Sequence, residues 1–185
     1  MQVHNIEQKT DEWRKQRLGL FTASEFHIYF GASSTKNTAL LKKAAERITG
    51  VYSDSDNFSN IHIERGNELE QDARDLYSVV TTQDVEEVGF IAMDNYNAGC
   101  SPDGLVGVNG GVEIKCKDNH THLYAITNNY IEPKHLTQCH FSMFVTGRKW
   151  WDYCLYNPNF KNPLHTIRIE RCDEYIAKIA ICIIP

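Results

Sequence analysis

The segment between Asp103 and Lys117 constrains the fold most strongly, because it has the pattern of a β-hairpin with one apolar and one charged face. It reads Asp-Gly-Leu-Val-Gly-Val-Asn-Gly-Gly-Val-Glu-Ile-Lys-Cys-Lys, in which β-branched residues alternate with other residue types around a glycine-rich turn. Successive side chains of a strand point to opposite faces of a sheet. The length of the turn therefore decides which of these side chains meet.

Two turn lengths are compatible with the glycines. A two-residue turn would put Asp103 and Glu113 on opposite faces, whereas a three-residue loop at residues 109–111 pairs Val108 with Val112 and puts both carboxylates on one face. The longer loop gathers the apolar residues on the other face, namely Val106, Val108, Val112, Ile114 and Cys116. It leaves together Asp103, Leu105, Gly107, Glu113 and Lys115. Because the apolar pattern and the charges select the same pairing, we predict the three-residue loop.

The charged face of this hairpin predicts a metal site. Two ionised carboxylates about 4 Å apart repel by roughly 4 kcal/mol at an effective dielectric constant of about 20, so a positive charge has to offset them. Mg²⁺ takes hard oxygen ligands, which Asp103, Glu113 and the carbonyl of Ile114 could provide, and Lys115 adds a cation beside them. Such a site is suited to the hydrolysis of phosphodiesters. The alternative is that Lys115 forms an ordinary ion pair on a solvated face.

Glu70 is a candidate for a further carboxylate at this site. It lies on a predicted helix over residues 63–80 and flanks an apolar stripe. The stripe consists of Leu69, Ala73, Leu76, Tyr77 and Val80. A carboxylate at the edge of such a stripe can face either a cleft or bulk solvent, and the second is the ordinary case for a helical glutamate.

The segment Thr22-Ala23-Ser24-Glu25 has the form of a capping box and predicts a helix over residues 22–30. The free N–H groups at the start of a helix favour an anion, so Ser24 together with Arg17 could bind a phosphate group. A simple helix cap beside a surface arginine explains the same residues.

The whole chain predicts one α/β domain over residues 1–185, in which helices flank a central mixed sheet. The predicted helices span residues 11–18, 22–30, 35–49, 63–80, 133–146 and 173–184, and the predicted strands span residues 86–93, 103–117, 149–156 and 164–171. No apolar stretch has the length of a membrane span, and the first residues lack the pattern of a secretory signal, so we expect an intracellular, cytoplasmic protein without a membrane partner. A net charge of −5 requires any DNA contact to use locally concentrated cations.

Four blocks of the sequence resemble the lambda-type exonucleases, the YqaJ-like viral recombinases of the PD-(D/E)XK nuclease superfamily. The first block is Glu-Trp-Arg-Lys-Gln-Arg-Leu-Gly at residues 12–19 followed by Thr-Ala-Ser-Glu at residues 22–25. The second runs from Arg65-Gly66 through Glu70 to Ala73-Arg74. The third is the Asp103 hairpin, and the fourth contains Gln138 with Phe-Ser-Met at residues 141–143. The resemblance covers residues 12 to about 157.

The resemblance implies a function. It implies an enzyme with one or two Mg²⁺ ions, for which Mn²⁺ can substitute, that degrades one strand of linear duplex DNA from its 5′ end and leaves a 3′ overhang for phage-type recombination. The catalytic positions implied are Asp103, Glu113, Lys115, Glu70 and Gln138, with Glu70 also a metal ligand. Those implied to hold the 5′-phosphate are Arg17, Ser24 and Ser101.

The resemblance also implies partners: 5′-phosphorylated duplex ends, a single-strand annealing protein, and two further copies of the chain in a trimeric ring. It implies a phage- or virus-encoded protein acting in a host cell. The alternatives are an endonuclease of the same superfamily and a non-catalytic module that binds DNA ends.

Overall fold

The computed structural model describes residues 1–52 and 61–183, and describes side chains except those of residues 61–68. The helices are α1 (Asp11–Gln16), α2 (Ser33–Thr49), α3 (Ile61–Thr81), α4 (Asn119–Thr127), α5 (Pro133–Thr146) and α6 (Asp173–Ile183), and a short 3₁₀ helix spans Phe26–Phe30. The strands are β1 (Gln2–His4), β2 (Phe21–Thr22), β3 (Val85–Glu86), β4 (Phe90–Ala92), β5 (Ala98–Cys100), β6 (Gly104–Val106), β7 (Gly110–Cys116), β8 (Trp150–Tyr156) and β9 (Leu164–Glu170).

The strands form two mixed sheets, so the α/β class is as predicted but the single central sheet is not. The larger sheet has the order β3-β6-β7-β8-β9, and only β7 and β8 are parallel. The smaller sheet has the order β1-β4-β5-β2, and only β2 and β5 are parallel. Its strands are two or three residues long, too short to show an alternating pattern in the sequence.

Apolar side chains cover both faces of the larger sheet. Helix α3 packs on one face, where the buried residues are Ala73, Tyr77, Val106, Val112, Ile114, Cys154 and Tyr156. Helix α5 packs on the other face and is covered in turn by α6 and the 3₁₀ helix. Since neighbouring residues of β7 point to opposite faces, Glu113 and Lys115 face the α5 side.

The hairpin between β6 and β7 has a three-residue loop, as predicted, but the loop lies two residues earlier. Val106 pairs with Gly110, so residues 107–109 form the loop. Val108 is 84% exposed, and its assignment to the core was wrong. The displacement is an even number of residues, which leaves Asp103 on the face of Glu113.

Two tryptophans on β8 explain where the loop falls. A Cβ atom added to Gly110 would lie 2.0 Å from Cζ2 of Trp150, and one added to Gly111 would lie 2.4 Å from Cη2 of Trp151. These glycines are therefore strand residues that allow the indole rings to pack on them. The loop takes its left-handed residue from Gly107, which has φ +50°.

The predicted helix over residues 22–30 was wrong. Thr22 ends strand β2, is 1% exposed, and pairs with Gly99 of β5. Its hydroxyl is buried and makes no hydrogen bond, so it caps no helix. Helical backbone begins only at the 3₁₀ helix, because pairing with β5 holds Thr22 extended.

Other boundaries differ from the predictions in smaller ways. The predicted strand over residues 86–93 is two strands, β3 and β4, which belong to different sheets. Strands β1 and β5 and helix α4 were not predicted. The side chain of Arg65 and the predicted helix end at Ile184 lie outside the described residues. Among helices of the described ranges, none combines the length and apolarity that a bilayer span requires.

Candidate active site

All nine residues that the sequence singled out line one cavity of about 420 Å³. They are Arg17, Ser24, Glu70, Ser101, Asp103, Glu113, Ile114, Lys115 and Gln138. The cavity lies beside the carboxyl half of β7, beyond the residues that pair with β6. It is open to solvent, so a polymer end could reach it.

The Asp103 side chain supplies a hydrogen-bond acceptor to the part of β7 that has no partner from β6 on this edge. Strand β6 begins at Gly104, so the edge of β7 beyond Val112 has no partner from that strand. The backbone amide of Ile114 donates instead to Oδ2 of Asp103, at 2.6 Å. The amide and carbonyl of a strand residue face the same edge, so the Ile114 carbonyl lies on the same side as the Asp103 carboxylate.

Glu113 is 1% exposed, and its two oxygens differ. Oε1 accepts hydrogen bonds from Nζ of Lys115 and, at 2.7 Å, from Nε2 of Gln138. Oε2 is buried and has no hydrogen-bond partner. A buried oxygen without a partner carries a desolvation cost, which a bound cation would remove.

Burial and mutual repulsion hold these carboxyl groups back from ionising. Burial, then Asp103, raises the pKa of Glu113 to about 8, although Lys115 acts in the opposite direction. Burial and then Asp103 also raise the pKa of Glu70, against Lys9 and Arg74. The pKa of Lys115 is raised, because Glu113 and Asp103 outweigh the effect of burial on its ammonium group. The cavity therefore favours an added cation.

Arg74 connects Glu70 to the hairpin. Its Nη2 donates to Oε1 of Glu70 at 2.9 Å, and its Nε donates to the carbonyl of Asp103 at 2.9 Å. This places helix α3 against the start of β6. Arg74 is 8% exposed, so the contact is part of the packed structure.

The donor set suits a small, hard cation. Asp103, Glu113 and the Ile114 carbonyl offer oxygens only, and the unsatisfied Oε2 of Glu113 is among them. Among the side chains that the structure describes, no three from His, Cys, Asp or Glu are grouped as a complete metal centre. Glu70 is engaged by Arg74. Mg²⁺ keeps several waters and binds through one or two carboxylates, which is the number this site provides.

A second group of polar residues in the cavity surrounds Arg17. Its guanidinium carbon lies 3.9 Å from the centre of the Trp13 ring, and Nε1 of Trp13 donates to Oγ of Ser101 at 2.8 Å. Arg17 is 7% exposed, and its Nε has no acceptor. Burial lowers the pKa of Arg17, although Tyr52 and Glu25 act in the opposite direction. With Ser24 on the same cavity wall, this group has spare donors for an anion.

Four further residues line the cavity but received no functional role from the sequence: Gln8, Lys9, Trp13, and Cys116, which the sequence assigned to the apolar face. Nε2 of Gln8 donates to the carbonyls of Val88 and Pro102, both at 3.2 Å. Lys9 has a left-handed backbone, with φ +70°. Trp13 belongs to a sequence block quoted above, but Gln8 and Lys9 lie in a polar stretch without periodicity. The position of Gln8 depends on these contacts with distant residues, which no local pattern indicates.

Comparison with known proteins agrees with the geometry. Residues 12–149 match the YqaJ-like viral recombinase domain. The chain is 34% identical to an alkaline exonuclease, LHK-Exo, from Laribacter hongkongensis, with a TM-score of 0.85 over 94% of this chain and 88% of that one. The same enzyme in complex with dAMP gives 35% identity and the same TM-score. No curated protein gives a significant match.

A more distant structure shares the fold. A phage-related exonuclease from Haemophilus somnus 129PT is 16% identical, with a TM-score of 0.64 over 91% of this chain and 92% of that one. The family match spans most of the chain and includes the hairpin, both polar groups of the cavity and Gln138. This chain belongs to the YqaJ-like viral recombinase family, whose lambda-type exonucleases the sequence resembles.

Proposed function

We propose that the protein is a Mg²⁺-dependent exonuclease that degrades one strand of linear duplex DNA in the 5′-to-3′ direction and leaves a 3′ single-stranded overhang. The observation that carries this proposal is that one cavity contains both the Asp103–Glu113–Lys115 group and the Arg17–Ser24–Ser101 group. The family and the similarity to an alkaline exonuclease support a nuclease acting on DNA.

The residues of the first group have complementary roles in this proposal. Asp103, Glu113 and the Ile114 carbonyl would hold the cation, and Gln138 fixes Oε1 of Glu113 while Oε2 remains available. Bound Mg²⁺ would supply Lewis-acid chemistry, lowering the pKa of a ligated water and offsetting charge on the phosphate. The Lys115 ammonium would stabilise the negative charge of the transition state.

The second group would select the end of the DNA. A terminal 5′-phosphate carries more negative charge than an internal phosphodiester, and Arg17 offers it a guanidinium whose Nε is otherwise unsatisfied. The Trp13 ring holds that guanidinium from one side, and its indole N–H fixes Ser101. Binding there would place the first phosphodiester near Asp103 and Glu113, which favours cleavage from the 5′ end.

The test is a time course on linear duplex DNA labelled separately at its 5′ and 3′ ends, with Mg²⁺ or with EDTA. We expect Mg²⁺-dependent release of nucleotides from the 5′ end, growth of a 3′ overhang, and faster digestion of 5′-phosphorylated than of 5′-hydroxyl ends. Release from the 3′ end first would contradict the proposed polarity.

Two other outcomes identify the alternatives. Nicking of covalently closed circular DNA would identify an endonuclease of the same superfamily. Binding of DNA ends without release of nucleotides, with Mg²⁺ or Mn²⁺ present, would identify a non-catalytic module. A variant that lacks Asp103 serves as the inactive control.

The assembly belongs to the same proposal. A trimeric ring would let a few local cations act together around DNA, which offsets the unfavourable net charge of −5. Light scattering after size exclusion would determine the number of chains. Co-purification with a single-strand annealing protein from the same recombination system would test that partner, and we expect both proteins to act inside the host cell.

A further inference from the structure

Lys9 stands between two cavities. Together with Gln8 and Glu70, it lines both the cavity of the candidate active site and a neighbouring cavity of about 400 Å³. The Lys9 side chain is exposed, so solvent and ligands can reach it. The neighbouring cavity is bordered by four acidic residues, Glu7, Glu70, Glu86 and Glu87, and by two cations, Lys9 and Arg74. In the active-site cavity the cations Lys9, Arg17 and Lys115 equal the acidic residues Glu70, Asp103 and Glu113 in number, so an anionic substrate is favoured there.

The backbone at Lys9 is strained and firmly held. A φ of +70° is uncommon for a residue with a side chain, and such conformations concentrate at functional sites. On one side, the Gln8 side chain is bonded to the carbonyls of Val88 and Pro102. On the other, the Thr10 hydroxyl accepts from the amide of Trp13 and begins helix α1. Lys9 is thus fixed between two anchored residues.

These anchors connect Lys9 to both functional groups of the cavity. Pro102 immediately precedes Asp103, and Trp13 contacts Arg17 and Ser101. Burial and Asp103 raise the pKa of Glu70, and the Lys9 ammonium is close enough to that carboxyl group to reduce the increase. The segment from Gln8 to Trp13 therefore connects the Asp103 region to the Arg17 group, and it places the Lys9 ammonium beside the carboxylates.

We propose that Lys9 binds a backbone phosphate of the DNA strand in the active-site cavity and positions that strand for cleavage. The inference rests on the proposed function, because it takes DNA as the substrate. It makes Lys9 a third cationic contact, in addition to Arg17 and Lys115. The strained backbone is then retained because it directs the side chain at this phosphate.

The test compares Lys9→Met, Lys9→Arg and Lys9→Gly with the wild type, and uses Lys178→Met as the control. Lys178 is exposed on α6 and lines none of the cavities described. Equilibrium binding of a 5′-phosphorylated duplex is measured in EDTA over a range of salt concentrations, so that binding is separated from catalysis. We expect Lys9→Met to weaken binding about tenfold and to reduce the slope of log K against log salt by about 0.9, the value for one lost phosphate contact.

Two further results complete the test. Lys9→Arg should restore most of the affinity and the salt slope, because arginine keeps the cation. Lys9→Gly should weaken binding like Lys9→Met yet raise the thermal midpoint, because glycine adopts the left-handed conformation without strain. With Mg²⁺, Lys9→Met should raise KM more than it lowers kcat.

The inference would be overturned if Lys9→Met kept the salt slope and KM of the wild type, or if Lys178→Met changed them equally. A wild-type protein that binds duplex ends but releases no nucleotides would contradict the proposed function instead. The binding measurements would still decide the role of Lys9.

Discussion

Burial of Glu113 is unfavourable for stability, but it provides a carboxylate oxygen that a cation could bind. Its side chain is almost completely buried, one oxygen has no partner, and burial together with Asp103 raises its pKa to about 8. A chain selected for stability alone would place an apolar residue there. Natural proteins accept such costs where binding or catalysis requires them.

Asp103→Asn should separate function from stability. The variant keeps an oxygen that can accept from the Ile114 amide but removes one negative charge from the neighbourhood of Glu113 and Glu70. We expect Mg²⁺-dependent nuclease activity to fall by at least about 100-fold, in the range of a lost electrostatic group at an active site. The free energy of unfolding without metal should be unchanged or higher. Parallel measurements of nucleotide release and of denaturant unfolding check both effects, and a marked loss of stability would contradict this view of Asp103.

Arg17→Met should remove the preference for phosphorylated ends. Methionine keeps an unbranched side chain beside Trp13 but has no donor for a phosphate. We expect digestion of 5′-phosphorylated duplex to slow by about 10- to 100-fold, the loss of one charge-assisted contact, while the slower digestion of 5′-hydroxyl duplex changes little. Initial rates on the two substrates give the ratio directly. An equal loss on both substrates would show that Arg17 has a general role in binding or folding.

At the residue scale, the sequence predicted which side chains share a face of the hairpin wherever spacing along the strands was sufficient. Asp103 and Glu113 share a face for any hairpin loop of the right parity, and Lys115 follows two residues after Glu113 on the same strand. Gln8 was missed because its position comes from hydrogen bonds to Val88 and Pro102, and Lys9 is its neighbour in the chain. Contacts over such distances leave no local pattern.

At the scale of elements, the prediction for the β6–β7 hairpin put Asp103 and Glu113 correctly on one face but placed the loop two residues too late. Gly107, Gly110 and Gly111 are equivalent as sequence, because each can form a turn. In the structure, two are covered by indole rings of β8, and only Gly107 adopts a left-handed conformation. The parallel neighbour β8 lies about 40 residues away in sequence, so tertiary packing determined the turn.

Gly111→Ala and Gly107→Ala should therefore have unequal effects. A Cβ at Gly111 would meet the fully buried indole of Trp151, and overpacking of this kind costs about 1–3 kcal/mol or more. A Cβ at Gly107 would meet nothing within 4 Å, so only the left-handed backbone opposes it, at about 1 kcal/mol. Denaturant unfolding of the two variants measures the difference. A larger loss in Gly107→Ala would mean that the turn, and not the packing of tryptophan on glycine, determines the register.

At the scale of the whole molecule, the chain was predicted as helices around one sheet and folds around two. The larger sheet was predictable where its long strands alternate, as in β7 and β9. The smaller sheet was not, because pairing with distant segments holds its short strands together. Because of that pairing, the start of the predicted capping box belongs to strand β2 and not to a helix. Ser24 and Arg17 nevertheless line the cavity. The residues that line this cavity were thus easier to bring together from the sequence than the strands that support them.

Buried histidines make the stability of the whole molecule depend on pH. Burial lowers the pKa of His122 and His140, and burial followed by Lys115 lowers that of His135 to about 3. Between the pKa of unfolded histidine, about 6.5, and these lower values, the unfolded chain binds protons that the folded protein does not. Their contribution to stability is therefore present above about pH 6.5 and is lost as the pH falls. Glu113 acts with the opposite sign, because its folded pKa is raised.

The variant His135→Gln isolates the contribution of one histidine to the pH dependence of stability. Glutamine can keep a hydrogen bond to the Tyr153 hydroxyl, which lies 3.0 Å from Nδ1 of His135, but does not titrate. When the variant is compared with the wild type at each pH, the contributions of Glu113 and of the remaining histidines to the free energy of unfolding cancel. We expect the stability of the wild type relative to His135→Gln to decrease by about 2 kcal/mol between pH 7 and pH 5, because only the wild type has a buried imidazole that must stay neutral. Denaturant unfolding at several pH values provides the measurement, and the exposed His120, changed to Gln, is the matched control. A difference that stays constant with pH would mean that His135 can be protonated within the folded protein.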